Sequence, residues 1–311
     1  MLGTCLLHDF PIMKIHLASH YGMCFGVREA LRSTHHVASS SPDVTLLGQL
    51  VHNPVVDEQL TRMGVRRGSA EAGQDLSRTH AIITAHGTSN LQRAALENAA
   101  LKVTDTTCPL VRKAHDALAL LVAEGYHPVV IGQRDHVEVR GLTGDFPHAS
   151  VLLDEGEAAT LPIGQRLGII SQTTQPLERV LTLVAAIKAA RPTTEVRFID
   201  TVCHPTKQRQ DALNDLLKVC EVLIVIGGRN SNNTRQLAAR ATAQGAIVHQ
   251  IERAGELSPR WFRGAKNVGV TAGTSTLDET VRSVMDRLQE IAADLAQSPL
   301  QRLLLPITQH A

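Results

Sequence analysis

Apolar residues in this chain form two kinds of pattern that follow each other along the sequence. Short continuous runs of aliphatic residues, such as 222–226, are typical of strands that are buried on both faces of a parallel sheet. Longer stretches, such as 177–190, carry apolar residues at the three-to-four-residue spacing of a helix. Because strands and helices alternate, the pattern predicts small parallel α/β sheets.

The elements predicted in this way cover most of the chain. The predicted strands are 13–18, 44–48, 81–84, 128–132, 167–170, 195–199, 222–226 and 268–270, with a further strand directly before Cys108. The predicted helices begin at Cys24 and Cys108 and cover 55–63, 91–101, 177–190, 206–219 and 277–295. The segment 39–42 is predicted to be a loop because it is rich in serine and contains a proline.

The helix after Cys108 shows most clearly how a cysteine is placed at a helix start. Pro109 suits the first helical position, where its missing N–H would have had no partner, and Gly125 ends the helix. Cys108 therefore lies at or next to the N-cap, where the helix dipole and free N–H groups favour a thiolate. Such a cysteine is a metal ligand or a nucleophile, or else a small buried apolar residue.

A weak internal repeat relates three cysteines to polar loops. His52 follows Cys24 by 28 positions, His136 follows Cys108 by 28, and Ser231 follows Cys203 by 28. A second polar loop comes 62, 65 and 72 positions after the same cysteines, at His86, Thr173 and Ser275. Since ligands gather at the carboxyl ends of parallel strands, three units packed around a pseudo-threefold axis would bring all these residues to one point.

The repeat divides the chain into three α/β units of similar length, at 13–107, 108–202 and 203–296. The strand before Cys24 can complete the third unit, which has no strand of its own after its last helix. Residues 1–12 are predicted to be an N-terminal extension that contains an idle Cys5, and 297–311 a C-terminal tail.

Composition excludes several classes of partner. The net charge is +1 and aromatic residues make up 3%, so neither nucleic acid nor an anionic membrane is expected as the main partner. Five widely spaced cysteines do not form a disulfide framework, and no apolar run reaches the ~18 residues of a membrane span. We therefore expect a reducing, cytoplasmic location.

Three converging cysteines without a fourth favour a metal centre with one open position. Catalytic zinc sites use three protein ligands in this way, and an iron–sulfur cluster held by three cysteines would leave one iron free. The residues alone do not choose between these metals, and three unrelated buried thiols remain the alternative. Cys220, at the end of a helix, is predicted to be a core residue.

The polar loops offer neutral donors that can bind a phosphate or diphosphate without a basic patch. These donors are His52, Asn53, His86, Ser231, Asn233, Thr274 and Ser275. Glu138 follows His136 by two positions, and in a water-poor pocket beside a metal its carboxyl group could hold or deliver a proton. An ordinary exposed loop glutamate is the alternative.

Taken together, these motifs resemble the 4-hydroxy-3-methylbut-2-enyl diphosphate reductase family, also called the IspH or LytB family. The resemblance covers the chain from Met13 to about Leu295 and is carried by Gly22–Val27, Val51–Asn53, Ala85–Gly87, Asp105–Val111, Gln172–Thr174, Asn230–Asn233 and Thr271–Ser275. It implies a trefoil of three α/β units around one [4Fe–4S] cluster. It also implies reductive removal of an allylic hydroxyl, which gives isopentenyl and dimethylallyl diphosphates in the last step of an isoprenoid pathway.

The resemblance also assigns roles to individual residues. Cys24, Cys108 and Cys203 would hold the cluster. Glu138 would donate the proton, Thr173 would orient the hydroxyl and relay the proton, and His136 would line the same pocket. The diphosphate would be bound by His52, His86, Ser231, Asn232, Asn233 and Ser275, with His136 beside them. Because the chain lacks a Gly-x-Gly-x-x-Gly dinucleotide fingerprint, electrons would come from a ferredoxin-type or flavodoxin-type partner.

Three features of the chain depart from the family. The family pattern His-Pro-Glu-Val-Glu-Gly becomes His136-Val-Glu-Val-Arg-Gly141, which loses a proline and reverses a charge at Arg140, and Asn232 replaces a residue that is usually serine. The chain is also less like a typical family sequence than a housekeeping copy would be, so a specialised paralogue is one alternative. A non-redox cluster dehydratase, a cluster-based sensor and a structural zinc protein are the others.

Overall fold

The computed structural model describes residues 13–69 and 75–296. The predicted N-terminal extension, the predicted tail and Cys5 lie outside these residues. Within them, every strand belongs to one of three four-stranded sheets, and all the strand pairs are parallel. The strands are β1 (Lys14–Leu17), β2 (Val44–Leu47), β3 (Arg66–Gly68), β4 (His80–Ile83), β5 (Lys102–Asp105), β6 (His127–Ile131), β7 (Ser150–Leu152), β8 (Leu167–Ser171), β9 (Val196–Phe198), β10 (Val222–Ile226), β11 (Ile247–Ile251) and β12 (Asn267–Ala272).

The three sheets share one topology. Their strand orders are β3-β2-β4-β5, β7-β6-β8-β9 and β11-β10-β12-β1. When the strands of a unit are counted along the chain, the second strand lies at one edge of the sheet, beside the first. The third and fourth strands lie on the other side of the first strand. The place of the fourth strand in the last sheet is taken by β1, which pairs with β12 from Lys14 opposite Asn267 to Leu17 opposite Val270. This common order makes the three α/β units pseudo-equivalent, as the repeat predicted, while the boundaries at 107/108 and 202/203 stay predictions.

Helices cover both faces of the sheets. They are α1 (Phe25–Ser40), α2 (Pro54–Arg62), α3 (Asn90–Ala99), α4 (Pro109–Ala123), α5 (Val137–Thr143), α6 (Leu177–Ala190), α7 (His204–Leu217), α8 (Asn232–Ala243) and α9 (Asp278–Ala296). None of the helices in the described ranges has the length and apolar character needed to span a bilayer.

The continuous apolar runs of the central strands are explained by burial on both sides. In β10, Val222, Ile224 and Ile226 pack into one apolar cluster, and Leu223 and Val225 pack into a second cluster on the opposite face. Successive side chains of a strand point to opposite faces, so a strand with helices on both sides needs apolar residues at every position.

The predicted elements agree with the structure to within a few residues, and the differences have local causes. The loop that was predicted at 39–42 begins only after Ser40, because α1 continues to that residue. The edge strands β3, β7 and β11 are short or only partly buried, so they carry no continuous apolar run. The helices α5 and α8 were also missed, since one is seven residues long and the other begins with the polar run Asn232–Thr234.

Candidate active site

Three cysteines occupy equivalent positions, each at the N-cap of the helix that follows the fourth strand of a sheet. Cys24 caps α1, Cys108 caps α4 and Cys203 caps α7. Sγ of Cys203 also lies 3.1 Å from Oγ1 of Thr206 in the first turn of α7. Pro109 and Pro205 lie in the first turns of α4 and α7, where a missing N–H costs nothing. The thiols are therefore presented at helix N-termini, where the dipole favours negative charge.

Each cysteine is fixed by the same backbone hydrogen bond. The N–H of Cys24 donates to the carbonyl of Thr274 at 3.0 Å, that of Cys108 to Ala85 at 3.0 Å, and that of Cys203 to Thr173 at 2.9 Å. The acceptors belong to the second polar loop of each unit, so every thiol is attached to a loop that also carries predicted site residues. The repeat in the sequence therefore corresponds to a repeated geometry.

The cysteines approach one another because a side chain is missing at Gly26. A Cβ atom built at Gly26 would lie 2.4 Å from the sulfur of Cys108. The first turn of α1 thus lies against the N-cap of α4, and only glycine allows this approach. This contact brings the thiol ends of the first and second units together.

One central cavity between the three units is lined by the three cysteines and by nearly all the predicted binding and catalytic residues. These residues are Cys24, Cys108, Cys203, His52, His86, His136, Glu138, Thr173, Ser231, Asn232, Asn233 and Ser275. Asn53, a predicted phosphate donor, is instead the N-cap of α2, and its Nδ2 donates to the carbonyl of Ser275 at 2.7 Å. Apolar side chains such as Val27, Val51 and Val111 complete the wall. A mostly apolar cleft with a few convergent polar groups is the usual form of a small-molecule site.

Three imidazoles pack against one another in this cavity. The ring centroid of His52 lies 4.5 Å from that of His86 and 5.2 Å from that of His136, and the last two are 5.6 Å apart. Burial, and then the ring of His52 and the guanidinium groups of Arg235 and Arg140, lower the pKa of His136 to about 3, and burial also lowers the pKa values of His52 and His86. All three rings are therefore neutral at pH 7.

Hydrogen bonds set the orientation of two of these rings. Nδ1 of His136 accepts from the backbone N–H of Glu138 at 3.1 Å, so a neutral ring carries its proton on Nε2. Nδ1 of His52 lies 2.9 Å from Oε1 of Gln49, which is an acceptor, so the proton of this ring is on Nδ1. One ligand nitrogen from each of the three rings lies within 4.8 Å of the others, a spacing that a metal ion or an anion could use.

Glu138 lies in the first turn of α5 rather than in the predicted loop, and it is 2% exposed. Its Oε1 accepts from the backbone N–H of Thr173 at 2.6 Å. Burial raises the pKa of Glu138 to about 7, although the hydrogen bonds from Thr173 act in the opposite direction. A carboxyl group with this pKa can hold or release a proton near neutral pH.

Several buried polar atoms in the cavity wall have no partner. Asn233 is 2% exposed; its Oδ1 accepts from the N–H of Thr274 at 3.1 Å, and its Nδ2 has no hydrogen-bond partner. Nδ1 of His86 also has no partner at full hydrogen-bond geometry, although the backbone of Gln49 interacts with this ring. Since an unsatisfied buried polar atom costs on the order of 1–3 kcal/mol, these atoms indicate a polar ligand.

Burial also affects the thiols. It raises the pKa of Cys203 to about 12 and raises the pKa of Cys108, so both stay protonated when nothing is bound. A thiolate is the form that binds a metal, and a cationic metal group would overcome this cost. Cys220 lies apart from these three, packed in the core of the third unit beside Leu223, as the sequence predicted.

Sequence reasoning assigned no specific role to Thr174 or Arg209, whereas Thr274 was among the predicted neutral donors. Thr174 and Thr274 line the cavity, and Oγ1 of Thr174 accepts from Nδ2 of Asn232 at 2.9 Å. Arg209 lies behind Cys24, buried on α7. Its position could have been noticed, because it shares the apolar helical register of Ala212, Leu213 and Leu216.

The central cavity brings together three thiols, a buried carboxyl group and neutral imidazoles from three pseudo-equivalent units. The chain therefore belongs to the class of three-unit α/β proteins that have a central site lined by three cysteines. The sequence model described as LytB protein matches residues 15–289, and the chain belongs to this family.

Relatives with described activities are similar over almost their whole length. The chain is 37% identical over 288 residues to the 4-hydroxy-3-methylbut-2-enyl diphosphate reductase of Aquifex aeolicus, covering 90% of this chain and 97% of that protein. It is 36% identical over 282 residues to the same reductase of Geobacter metallireducens, covering 90% and 98%.

Two solved structures are similar in fold. The E-1-hydroxy-2-methyl-but-2-enyl-4-diphosphate reductase of Plasmodium falciparum superposes with a TM-score of 0.83 over 93% of this chain and 90% of that chain, at 24% identity, which bears on the fold alone. A structure of (E)-4-hydroxy-3-methyl-but-2-enyl diphosphate reductase, the terminal enzyme of the non-mevalonate pathway, superposes with a TM-score of 0.62 at 35% identity, covering 89% and 99%.

Proposed function

We propose that this protein is a 4-hydroxy-3-methylbut-2-enyl diphosphate reductase. Its reaction replaces the allylic hydroxyl of (E)-4-hydroxy-3-methylbut-2-enyl diphosphate with hydrogen, consuming two electrons and two protons and giving isopentenyl or dimethylallyl diphosphate plus water. The observation that carries this proposal is that three helix-capping thiols and the buried carboxyl group of Glu138 line one cavity. Membership of the LytB family and the reductase relatives support it.

Cys24, Cys108 and Cys203 would hold one [4Fe–4S] cluster. The donor set fits, because three thiols at helix N-caps line one cavity, and burial raises the pKa values of Cys108 and Cys203 so that these two stay protonated until a cationic group binds. Three protein ligands leave one iron with an open position. When bound, such a cluster supplies electrons one at a time and a Lewis-acidic iron for the departing hydroxyl.

The neutral polar side chains would bind the diphosphate. Ser231, Asn232 and Asn233 lie at the N-terminus of α8, a twelve-residue helix whose dipole favours an anion. The imidazoles of His52, His86 and His136, together with Ser275, line the same cavity. These donors carry no formal charge, so they bind the anion without adding other ions to the pocket. Because the pocket is buried and has a low dielectric constant, each hydrogen bond to the anion is stronger than it would be in water.

Glu138 would deliver the proton that turns the hydroxyl into water. Its pKa of about 7 keeps it largely protonated at slightly acidic pH and half-protonated at neutral pH. The hydrogen bond from the backbone of Thr173 fixes the carboxyl group against the cavity wall. The hydroxyl of Thr173 lines the cavity beside it, and from there it would orient the substrate hydroxyl and relay the proton.

Electrons would come from a small ferredoxin-type or flavodoxin-type protein in a reducing, cytoplasmic setting. The residues that line the central cavity include no glycine-rich phosphate loop of the kind that binds a nucleotide cofactor. We therefore infer that a separate electron-carrier protein supplies the electrons.

The proposal is tested by anoxic purification followed by iron and sulfide counting and an assay with reduced methyl viologen. We expect about four iron and four sulfide per chain and reductant-dependent loss of the allylic diphosphate. Protein with no bound iron would contradict the cluster. Turnover without any electron donor would favour the dehydratase reading, and a stable cluster without turnover would favour a sensor.

A further inference from the structure

Arg209 is a buried cation that lacks a counter-charge among the described residues. It lies on α7 and is 5% exposed. Its Nη1 donates to the carbonyl of Pro205 at 2.8 Å, and its Nη2 donates to the carbonyls of Tyr21 and Gly22. Its Nε has no partner, and no carboxylate in the described ranges pairs with it. The side chain is thus held only by neutral carbonyl groups.

A buried guanidinium without an anion is costly. Removing an ion from water carries a large free-energy cost, and nearby anions normally offset this cost. The carbonyls of Tyr21 and Gly22 orient the group, but they cannot neutralise it. The position therefore calls for a negative charge that the protein alone does not show.

The nearest candidates for this charge are two of the site cysteines. Arg209 and Cys24 line one small cavity of about 250 Å³, which lies outside the central site between the starts of α1 and α7. The carbonyl acceptors at Tyr21 and Gly22 come just before Cys24 in the chain, and Cys203 caps the helix that carries Arg209. Burial lowers the pKa of Arg209, and the sulfur atoms of Cys24 and Cys203 raise it.

We propose that Arg209 is a positioning residue that balances the thiolate charge of Cys24 and Cys203 and thereby raises the reduction potential of the group they hold. This inference rests on the proposed function, because it requires a redox cluster on these thiols. Each reduction step adds one electron, taken from the external donor, and makes the centre more negative by one charge. A nearby buried cation stabilises the reduced form more than the oxidised form.

The test compares Arg209→Gln and Arg209→Met, which remove the charge, with Arg209→Lys, which keeps it. The measurement is the midpoint potential of the cluster in anoxically loaded protein, titrated with dithionite and mediators and followed by EPR. We expect the neutral variants to have a lower potential than the wild type and the lysine variant to stay close to it.

Arg28→Gln is the matched control. The guanidinium of Arg28 donates to the carbonyl of Met23, next to Cys24, but it is 59% exposed and paired with Asp278 at 3.0 Å. Water and the carboxylate screen its charge, so this change should leave the potential unchanged.

Each outcome is decisive. A neutral variant that keeps its cluster and the wild-type potential overturns the inference, as does a lysine variant that shifts as far as the neutral ones, since lost hydrogen bonds would then explain the effect. If only the neutral variants lose the cluster, the charge is required, and if the lysine variant loses it as well, the inference fails. Wild-type protein without a cluster would instead contradict the proposed function.

Discussion

The carboxyl group of Glu138 accepts a 2.6 Å hydrogen bond from the backbone N–H of Thr173, yet burial raises its pKa to about 7. The two effects oppose each other, and burial is the larger. The result is a carboxyl group that is held in one position and that changes protonation near neutral pH. In the same loop, the carbonyl of Thr173 accepts from the N–H of Cys203, so the carboxyl group and a proposed cluster ligand are attached to one short segment.

Replacing Glu138 by glutamine should abolish most of the activity without removing the cluster. Glutamine keeps the shape and an acceptor for the Thr173 N–H but cannot donate an acidic proton. Because general acid catalysis contributes about 10²–10⁴-fold, we expect kcat to fall by this factor. The measurement is the methyl viologen-driven rate, together with iron content. Glu155→Gln, an exposed change on the same unit, should retain full activity.

The pH profile of the rate should report the same group. If Glu138 acts as an acid with a pKa of about 7, its protonated fraction falls as pH rises through 7, and above that pH kcat should drop about tenfold per unit. Reduced methyl viologen suits the measurement, since its potential does not depend on pH. A flat profile between pH 6 and 9 would contradict the assignment of Glu138, and the residual rate of Glu138→Gln should lack this limb.

Cys108→Ser should lose the cluster, whereas Cys220→Ser should keep it. Cys108 lines the central cavity, and a serine hydroxyl is a poor ligand for iron. Cys220 is 7% exposed and packs in an apolar cluster away from the cavity. Iron and sulfide counts per chain distinguish the two variants. Equal cluster content in both would remove Cys108 from the set of ligands.

Gly26→Ala should disturb the thiol centre although it adds a single methyl group. The new Cβ would lie 2.4 Å from the sulfur of Cys108, so one of the two N-termini must move. Overpacking of this kind typically costs about 1–3 kcal/mol. We expect a lower cluster content and faster loss of the cluster in air. Both are measured from the visible absorbance of the protein. Gly156→Ala, where a Cβ meets nothing within 4 Å, is the control and should behave as the wild type.

The sequence was sufficient for the repeat because each unit carries its own signals. A buried strand, a cysteine and a helix with proline or glycine near its start recur in register, so β1 could be predicted to complete the third sheet, and it does pair with β12. Edge strands such as β3 could not be predicted, because their extended conformation results from pairing with a neighbouring strand rather than from a pattern in their own residues.

The contacts within the site could be predicted only in part from the sequence. Polar residues at strand ends predicted which side chains converge, but not that the rings of His52, His86 and His136 touch, because this depends on how three units pack. The raised pKa of Glu138 likewise depends on burial by residues distant in the chain. The buried guanidinium of Arg209 carried a local signal, a cation at an apolar helical position, that the motif pattern did not include.

Asn233→Asp should weaken binding of the diphosphate and, because it places a carboxylate at a position that is 2% exposed, should also lower the stability of the fold. The aspartate can still accept from the N–H of Thr274, as Oδ1 of Asn233 does at 3.1 Å. The change replaces the unpartnered Nδ2 donor with a carboxylate oxygen that repels an anion. A hydrogen bond to a charged group contributes about 1.5–3 kcal/mol, so KM should rise by roughly 10–150-fold. Asn214→Asp, at the surface beside Arg240, should leave KM unchanged. An unchanged KM in Asn233→Asp would mean that the diphosphate is bound elsewhere in the cavity.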